Sequence, residues 1–260
     1  MKRALAALLW VMLSQAAGAR VPQLLDEPQG LAWSPSEVSS ATHSATDAVL
    51  RRARERHALG CLAHCPRLAR VWHRLLPVFD AQQARWRLHF DLRLVTVRLP
   101  DVEAFSAPDG RIVLSEDFIA AHHLDDAQLA FVLAHEATHV LLQHERLTLT
   151  SALSLLPHQV PRTVADMYAE FGFNLGLLID LQPAMQQVEL QADEAGLELA
   201  ALAGYAPAQQ LRFMRGLARA EAHGEPLAAT HPPAVERLRR LQGLLPLARR
   251  LYRQHQSPLE

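Results

Sequence analysis

Apolar residues recur at helical spacing along most of this chain. After a polar stretch to about Thr46, "DAVLRRARERHAL" and "RLARVWHRLLPVF" place them every three or four positions, which predicts two packing helices within residues 45–80. The period changes once. "RLHFDLRLVTVRL" alternates in part, and "RIVLS" follows the turn "APDG", so two strands of a small antiparallel sheet are expected. Helical spacing resumes in "AQLAFVLAHEATHVLLQHERL", read as one helix with Asp125 or Asp126 as N-cap. Pro157 and Pro161 then break the chain. Further helices are expected over "TVADMYAEFGFNLGLLIDL", over "AMQQVELQADEAGLELAALAG" up to a stop at Gly204, over "APAQQLRFMRGLARAEAHG", and over "PPAVERLRRLQGLLPLARRLYRQ". No internal repeat is visible. The pattern is that of one α+β, mainly helical domain over residues 20–260.

Composition narrows the function classes. Half of the 260 residues are apolar, enough for a substantial core, which excludes a disordered chain. The net charge of −1 gives no electrostatic footprint for nucleic acid, so none is expected as a partner. The start, "MKRALAALLWVMLSQAAGAR", pairs Lys2 and Arg3 with an apolar run from Ala4 to Leu13 and small residues at Ala17, Gly18 and Ala19, which reads as a signal peptide over residues 1–19. An uncleaved anchor is the alternative, but the run is shorter than the ~18 residues a spanning helix needs. The expectation is an exported chain, periplasmic or secreted, without stable membrane insertion after cleavage.

Export gives meaning to the two cysteines. Cys61 and Cys65 in "LGCLAHCPRL" are four apart, which brings their Cα atoms to roughly 6 Å in a helical or turn segment, within bridging range. A local disulfide is favoured; the competing reading, a metal site with His64, lacks a second group of ligands nearby.

The chemistry lies in "FVLAHEATHVLLQHE". His135 and His139 are four apart on a helix, so both imidazoles can point at one ion, and Glu136 stands where it can take a proton from water beside that ion: the H-E-x-x-H pattern of zinc sites. The bland alternative is a pair of exposed or packed histidines. Catalytic zinc usually has three protein ligands. His144, five residues beyond His139, is rotated about 140° from it on a regular helix, so it cannot reach the same ion and is expected to support packing or the side chains that hold the ligands. A metzincin arrangement would need glycine and histidine where Leu142 and Glu145 stand. The better source of a third ligand is "VELQADEAG": Glu189 and Asp193 are four apart on one helix face, so one carboxylate can bind zinc while the other accepts a hydrogen bond from the far nitrogen of a ligating imidazole, and Gly196 leaves room for a close helix. A solvated acidic face is the competing reading of that segment.

"HEATHVLLQH", "ELQADEAG" and "THPPAVERLRRL", preceded by "EAFSAPDGRIVLSEDFI", resemble in order the motif series of the HtpX-like and CAAX prenyl endopeptidase family of zinc metallopeptidases, which are gluzincins. Glu103 and Asp109 depart from the family's usual asparagine and glycine. The resemblance implies a zincin-like fold with its core at about 86–243, one zinc ion per chain held by His135, His139 and Glu189, and Glu136 as general base. It also implies that His231 and Arg237 approach the site from the far side, either to stabilise the oxyanion or, for His231, to fill the open zinc position at rest. The expected activity is hydrolysis of extended or misfolded polypeptide, held as an added strand along "RIVLS", in envelope protein quality control. The alternative is a zinc-containing binding or chaperone-like protein with little or latent activity.

Overall fold

The computed structural model describes residues 21–157, 160–223 and 231–256; the expected signal peptide lies outside them. In chain order the elements are α1 (Pro35–Glu55), α2 (Cys65–Gln83), β1 (Arg93–Val97), β2 (Ala104–Ser106), β3 (Arg111–Ser115), α3 (Glu116–Ala121), α4 (Asp126–Leu141), α5 (His144–Ser154), α6 (Val164–Phe173), α7 (Leu175–Leu202), α8 (Pro207–Ala222) and α9 (Ala234–Gln256). Among the described residues no helix is long and apolar enough to cross a membrane.

The centre of the molecule is α4. Its sequence is apolar almost all round, which suits a helix buried on every side, and only a few of its residues reach the surface. Asp125 caps it, accepting from the Gln128 amide while the Gln128 side chain accepts from the Asp125 amide. Around α4 pack α2, α7, α8 and the sheet, with α9 laid across α7 and α8. The main core joins Phe79 of α2, Ile112 and Leu114 of β3, Leu129 and Leu133 of α4 and Leu197 and Leu199 of α7. A separate apolar cluster of Val38, Leu149, Met167, Leu177 and Leu181 ties α1, α5, α6 and the start of α7 together.

Four expectations about elements need correction. The first helix starts at Pro35 rather than after Thr46. A capping box of Ser34 and Glu37 with Pro35 at the first turn opens it despite a polar composition. The sheet is mixed, not purely antiparallel: β2 pairs antiparallel to β3, whereas β1 runs parallel to β3 from Arg93↔Arg111 to Val97↔Ser115. The tight hairpin fixes β2 beside β3, so β1 takes the other edge of β3. At that hairpin Gly110 has φ +91°, and a Cβ there would sit 2.4 Å from the Asp91 carbonyl oxygen.

The helix expected to run on from α4 instead breaks at Gln143, whose φ of +53° ends it and starts α5 in a new direction. Arg146 holds this turn by donating to the Gln143 side chain and to the carbonyls of Trp33 and Leu31. Finally, the boundary near Pro183 falls earlier. Asn174 accepts from the Leu177 amide and so starts α7, which runs straight through Pro183.

The cysteines are bridged, with Cα atoms 5.4 Å apart. Their loop presents the amides of Leu62, Ala63 and His64 to the buried Glu116 carboxylate at 2.8, 3.0 and 2.8 Å. Bridging removes the thiolates a metal would need, so this is a structural corner. The adjoining Leu59–Gly60 segment covers the outer edge of β1, donating from the Gly60 amide to the Thr96 carbonyl. Among the described strands, that leaves β2 as the open edge. "RIVLS" is the central strand and cannot take an added one.

Candidate metal centre

The site forms where α4 and α7 touch. Gly196 allows this approach: a Cβ on it would lie 3.0 Å from the His135 backbone nitrogen and 3.1 Å from its Cα. The contact brings Glu189, two turns earlier on α7, level with the two histidines of α4. His135 Nε2 is 3.1 Å from His139 Nε2 and 3.5 Å from Glu189 Oε2, and His139 Nε2 is 3.6 Å from Glu189 Oε1. Donors about 2.0–2.1 Å from a tetrahedral zinc ion stand roughly 3.3 Å apart. Two imidazole nitrogens and a carboxylate at these separations fit that ion. His231 Nε2 is 2.9 Å from Glu189 Oε2, and its donor atom falls with those of His135 and Glu189 inside one 4.8 Å cluster.

Each histidine of α4 is held from behind. His135 Nδ1 donates to Asp193 Oδ1 at 3.1 Å, which aims its Nε2 into the centre. Asp193 is only 1% exposed. Its charge is met by Arg237 of α9, which donates from Nε to Oδ2 and from Nη2 to Oδ1, each at 2.7 Å. Arg237, expected to approach the reacting carbonyl, thus turns its guanidinium to Asp193 and positions the site from behind. His139 Nδ1 is 2.9 Å from His144 Nδ1. The break at Gln143 makes that contact, because His144 opens α5 instead of continuing α4. It supports His139, the role expected of a histidine turned away from the ligand face.

The electrostatics follow from this packing. Burial favours the protonated form of Glu189, but His135 and His231 outweigh it and hold the carboxyl far below the usual range. Asp193 shows the same balance, with Arg237 and His135 overcoming burial. Burial would lower His135, yet Asp193 and Glu189 raise it to about 10, so the metal-free cluster carries a proton that a metal must displace. Burial, with His135 and His144 close by, lowers His139 well below its ordinary value. Burial also pushes the Glu136 carboxyl up; His135 opposes this and Glu189 adds to it. A raised carboxyl suits a general base near neutral pH.

The centre opens on a cleft of about 320 Å³. One wall is β2, with Phe105 and with Ser106, whose nearby side chain favours the charged form of Glu136. The other wall is Glu145 and Arg146 of α5 with Met185 and Val188 of α7. The sequence reading missed β2 as a wall, since a three-residue strand gives too short an alternation to see.

Residues 64–245 match Peptidase family M48. Curated relatives share the name OMA1. The chain is 29% identical over 188 residues to "Mitochondrial metalloendopeptidase OMA1" of Schizosaccharomyces pombe, covering 70% of this chain and 53% of that protein. It is 33% identical over 153 residues to the Arabidopsis thaliana protein of that name, covering 55% of this chain and 30% of that one. With the bovine protein, identity is 29% over 182 residues, or 64% of this chain and 34% of the other. The chain thus spans about half the length, or less, of these relatives. The motif resemblance holds at the level of the wider family, though these relatives are not named HtpX or CAAX prenyl endopeptidases. With most of its length matched, the chain belongs to peptidase family M48, the zinc metallopeptidases.

Proposed function

We propose that this chain is an exported metalloendopeptidase that cleaves extended or misfolded polypeptides, with His135, His139 and Glu189 as zinc ligands and Glu136 as general base. The observation that carries this is Glu136 beside a three-donor cluster, on a cleft bordered by an open strand edge. A purely structural zinc site has no use for a carboxylate next to its ligands. Relatives named as metalloendopeptidases support the same reaction class.

When bound, zinc supplies Lewis acidity that polarises the scissile carbonyl and makes a water acid enough to lose its proton near neutral pH. Glu136 takes that proton and returns it to the leaving amine. The free edge of β2 pairs with the substrate backbone, so the bond to be cut must lie in an extended segment. Asp193 and Arg237 keep the His135 ring turned to the metal. The bridged Cys61 and Cys65 suit an oxidising compartment, which with the signal-like start supports export and a role in envelope protein quality control.

A latent form is the second reading. His231, 2.9 Å from Glu189, lies close enough to serve as a fourth donor and close the site at rest. Zinc content and casein hydrolysis would be measured for the wild type, Glu136→Gln, Glu189→Ala and His231→Ala. The proposal expects Glu136→Gln to keep zinc and lose activity by two or more orders of magnitude, and Glu189→Ala to lose zinc. Full activity in Glu136→Gln refutes it. A gain of activity in His231→Ala would assign the resting protein to the latent form.

A further inference from the structure

Of the three acids that line the cleft among the described residues, Glu136 is the proposed base and Glu189 a proposed ligand. The third, Glu145, stands on the α5 wall and has no part in the reaction as described so far. It directly follows His144, whose Nδ1 is 2.9 Å from Nδ1 of the ligand His139. One Cα step of about 3.8 Å thus separates it from a residue that touches the ligand shell. Thr148, three residues on and on the same side of α5, lines the cleft too, so this side of the helix faces the substrate.

The Glu145 carboxylate is held on one oxygen and open on the other. Tyr168 of α6 donates its hydroxyl to Oε1 at 2.5 Å. Tyr168 keeps its proton, because burial and the Glu145 charge both push its pKa up. Oε2 accepts no hydrogen bond and stays open to solvent, and among the described residues no cation lies within 4.0 Å of the carboxylate. Arg146 lines the same wall, but its guanidinium donates to the Gln143 side chain and to the carbonyls of Leu31 and Trp33. Most of the remaining lining is apolar, with Phe90, Phe105, Val140, Met185 and Val188. A fixed carboxylate in such surroundings attracts a cation more strongly than one in bulk water does.

We infer that Glu145 sets the specificity of the cleft, its open oxygen taking the ammonium or guanidinium group of a substrate lysine or arginine near the scissile bond. This rests on the peptidase reading and adds a substrate class to it: extended segments with a basic residue close to the bond that is cut. The chemistry of the lining matches both parts of such a side chain. The aliphatic stem packs on the apolar walls while its length and flexibility carry the charged end to Glu145. An acidic residue in the same place would be repelled by Glu145 and left without a partner, and a purely apolar one would leave the carboxylate desolvated and unpaired.

A set of quenched peptides, identical except for a lysine or a norleucine moved stepwise along either side of the cleaved bond, tests this on the zinc-loaded protein. At one position the wild type should favour lysine over norleucine roughly tenfold in kcat/KM, mainly through KM, and sodium chloride should shrink that ratio. Glu145→Gln, whose amide oxygen still accepts from Tyr168, should abolish the ratio, and Glu145→Lys should turn the preference toward glutamate. Zinc content and melting temperature show that each variant is folded; if Glu145→Lys is not, the Glu145→Gln ratio decides alone. A wild type that favours lysine at no position, or a ratio unchanged in Glu145→Gln, overturns the inference. Rates that fall equally on both peptides make Glu145 only a tie between α5 and α6, and overturn it as well. If the wild type leaves every peptide uncut, fluorescence anisotropy of the labelled peptides on zinc-loaded Glu136→Gln protein decides instead. Tighter binding of a lysine peptide that is lost on adding Glu145→Gln supports the inference, and any other result refutes it. Casein left uncut as well is the separate failure of the peptidase reading.

Discussion

The two halves of α7 have opposite designs. From Val188 onward most residues are buried, and small side chains at Ala192, Ala195, Gly196, Ala200 and Ala201 let neighbouring helices come close. Before that point only Leu177 and Leu181 are fully covered. One helix thus carries a rigid half, where a shift of a fraction of an ångström would spoil a metal site, and a projecting half that nothing constrains beyond one face. Precision at Glu189 comes from close packing and hydrogen bonds behind the ligands, whereas the apolar end is open to whatever lies along it.

If the packed half is organised around charge, the metal-free protein should be sensitive to pH, and this is the largest effect expected. The His135 pKa is raised in the folded state from 6.5 to about 10. Its contribution to stability is therefore complete below about pH 6.5 and is lost as pH climbs through 10. Asp193 and Glu189 are lowered, so theirs is complete above the unfolded carboxylate range and lost in acid. Urea unfolding in the presence of a chelator should show greatest stability at weakly acid pH and a steady fall above neutrality. Zinc should reverse the alkaline arm, since it displaces the His135 proton. An alkaline arm that persists in His135→Asn would show that another group is responsible.

Arg237→Met comes next. It leaves the Asp193 carboxylate buried without its bidentate partner, at a cost of about 3–5 kcal/mol in urea unfolding. Arg237→Lys should recover only part of this, because an ammonium cannot reproduce the paired contact. If Arg237 instead touched the reacting carbonyl, stability would stay put while kcat fell. Gly196→Ala ranks third. The added methyl meets backbone of α4 rather than a movable side chain, so a loss of about 1–3 kcal/mol is expected, with weaker zinc binding as His135 is pushed from Glu189. Unchanged zinc affinity in a destabilised Gly196→Ala protein would mean that the helices can separate without opening the site.

The rigid half was the legible half. A spacing of four on a helix puts two side chains on one face whatever the tertiary context, so His135 with His139, and Glu189 with Asp193, could be read directly. Gly196 was legible for the same reason, as a missing side chain on the donor face. What depends on distant partners was not. The break at Gln143 is fixed by Arg146 reaching the carbonyls of Leu31 and Trp33, more than a hundred residues away in the chain. The target of Arg237 depends on how α9 lies across α7, which no local pattern encodes. The strands themselves were visible in part, but the parallel pairing of β1 follows from the corner at Leu59–Gly60 and the hairpin at Gly110 together.

The smallest effect tests the projecting half. Replacing both Leu175 and Ile179 by Gln should change stability by no more than about 0.5 kcal/mol, because both side chains are already in water and glutamine sustains a helix well. Leu177→Ala or Leu181→Ala, each two positions from Ile179 but on the packed face, should each remove about 2–5 kcal/mol. Urea midpoints of the three proteins measure this contrast within a single stretch of seven residues. Were the exposed pair to prove as sensitive as Leu181, that face would be covered in solution. Insensitivity there, beside sensitivity on the packed side, would show that the apolar side chains of this half of α7 stabilise the fold only where α5 and α6 cover them.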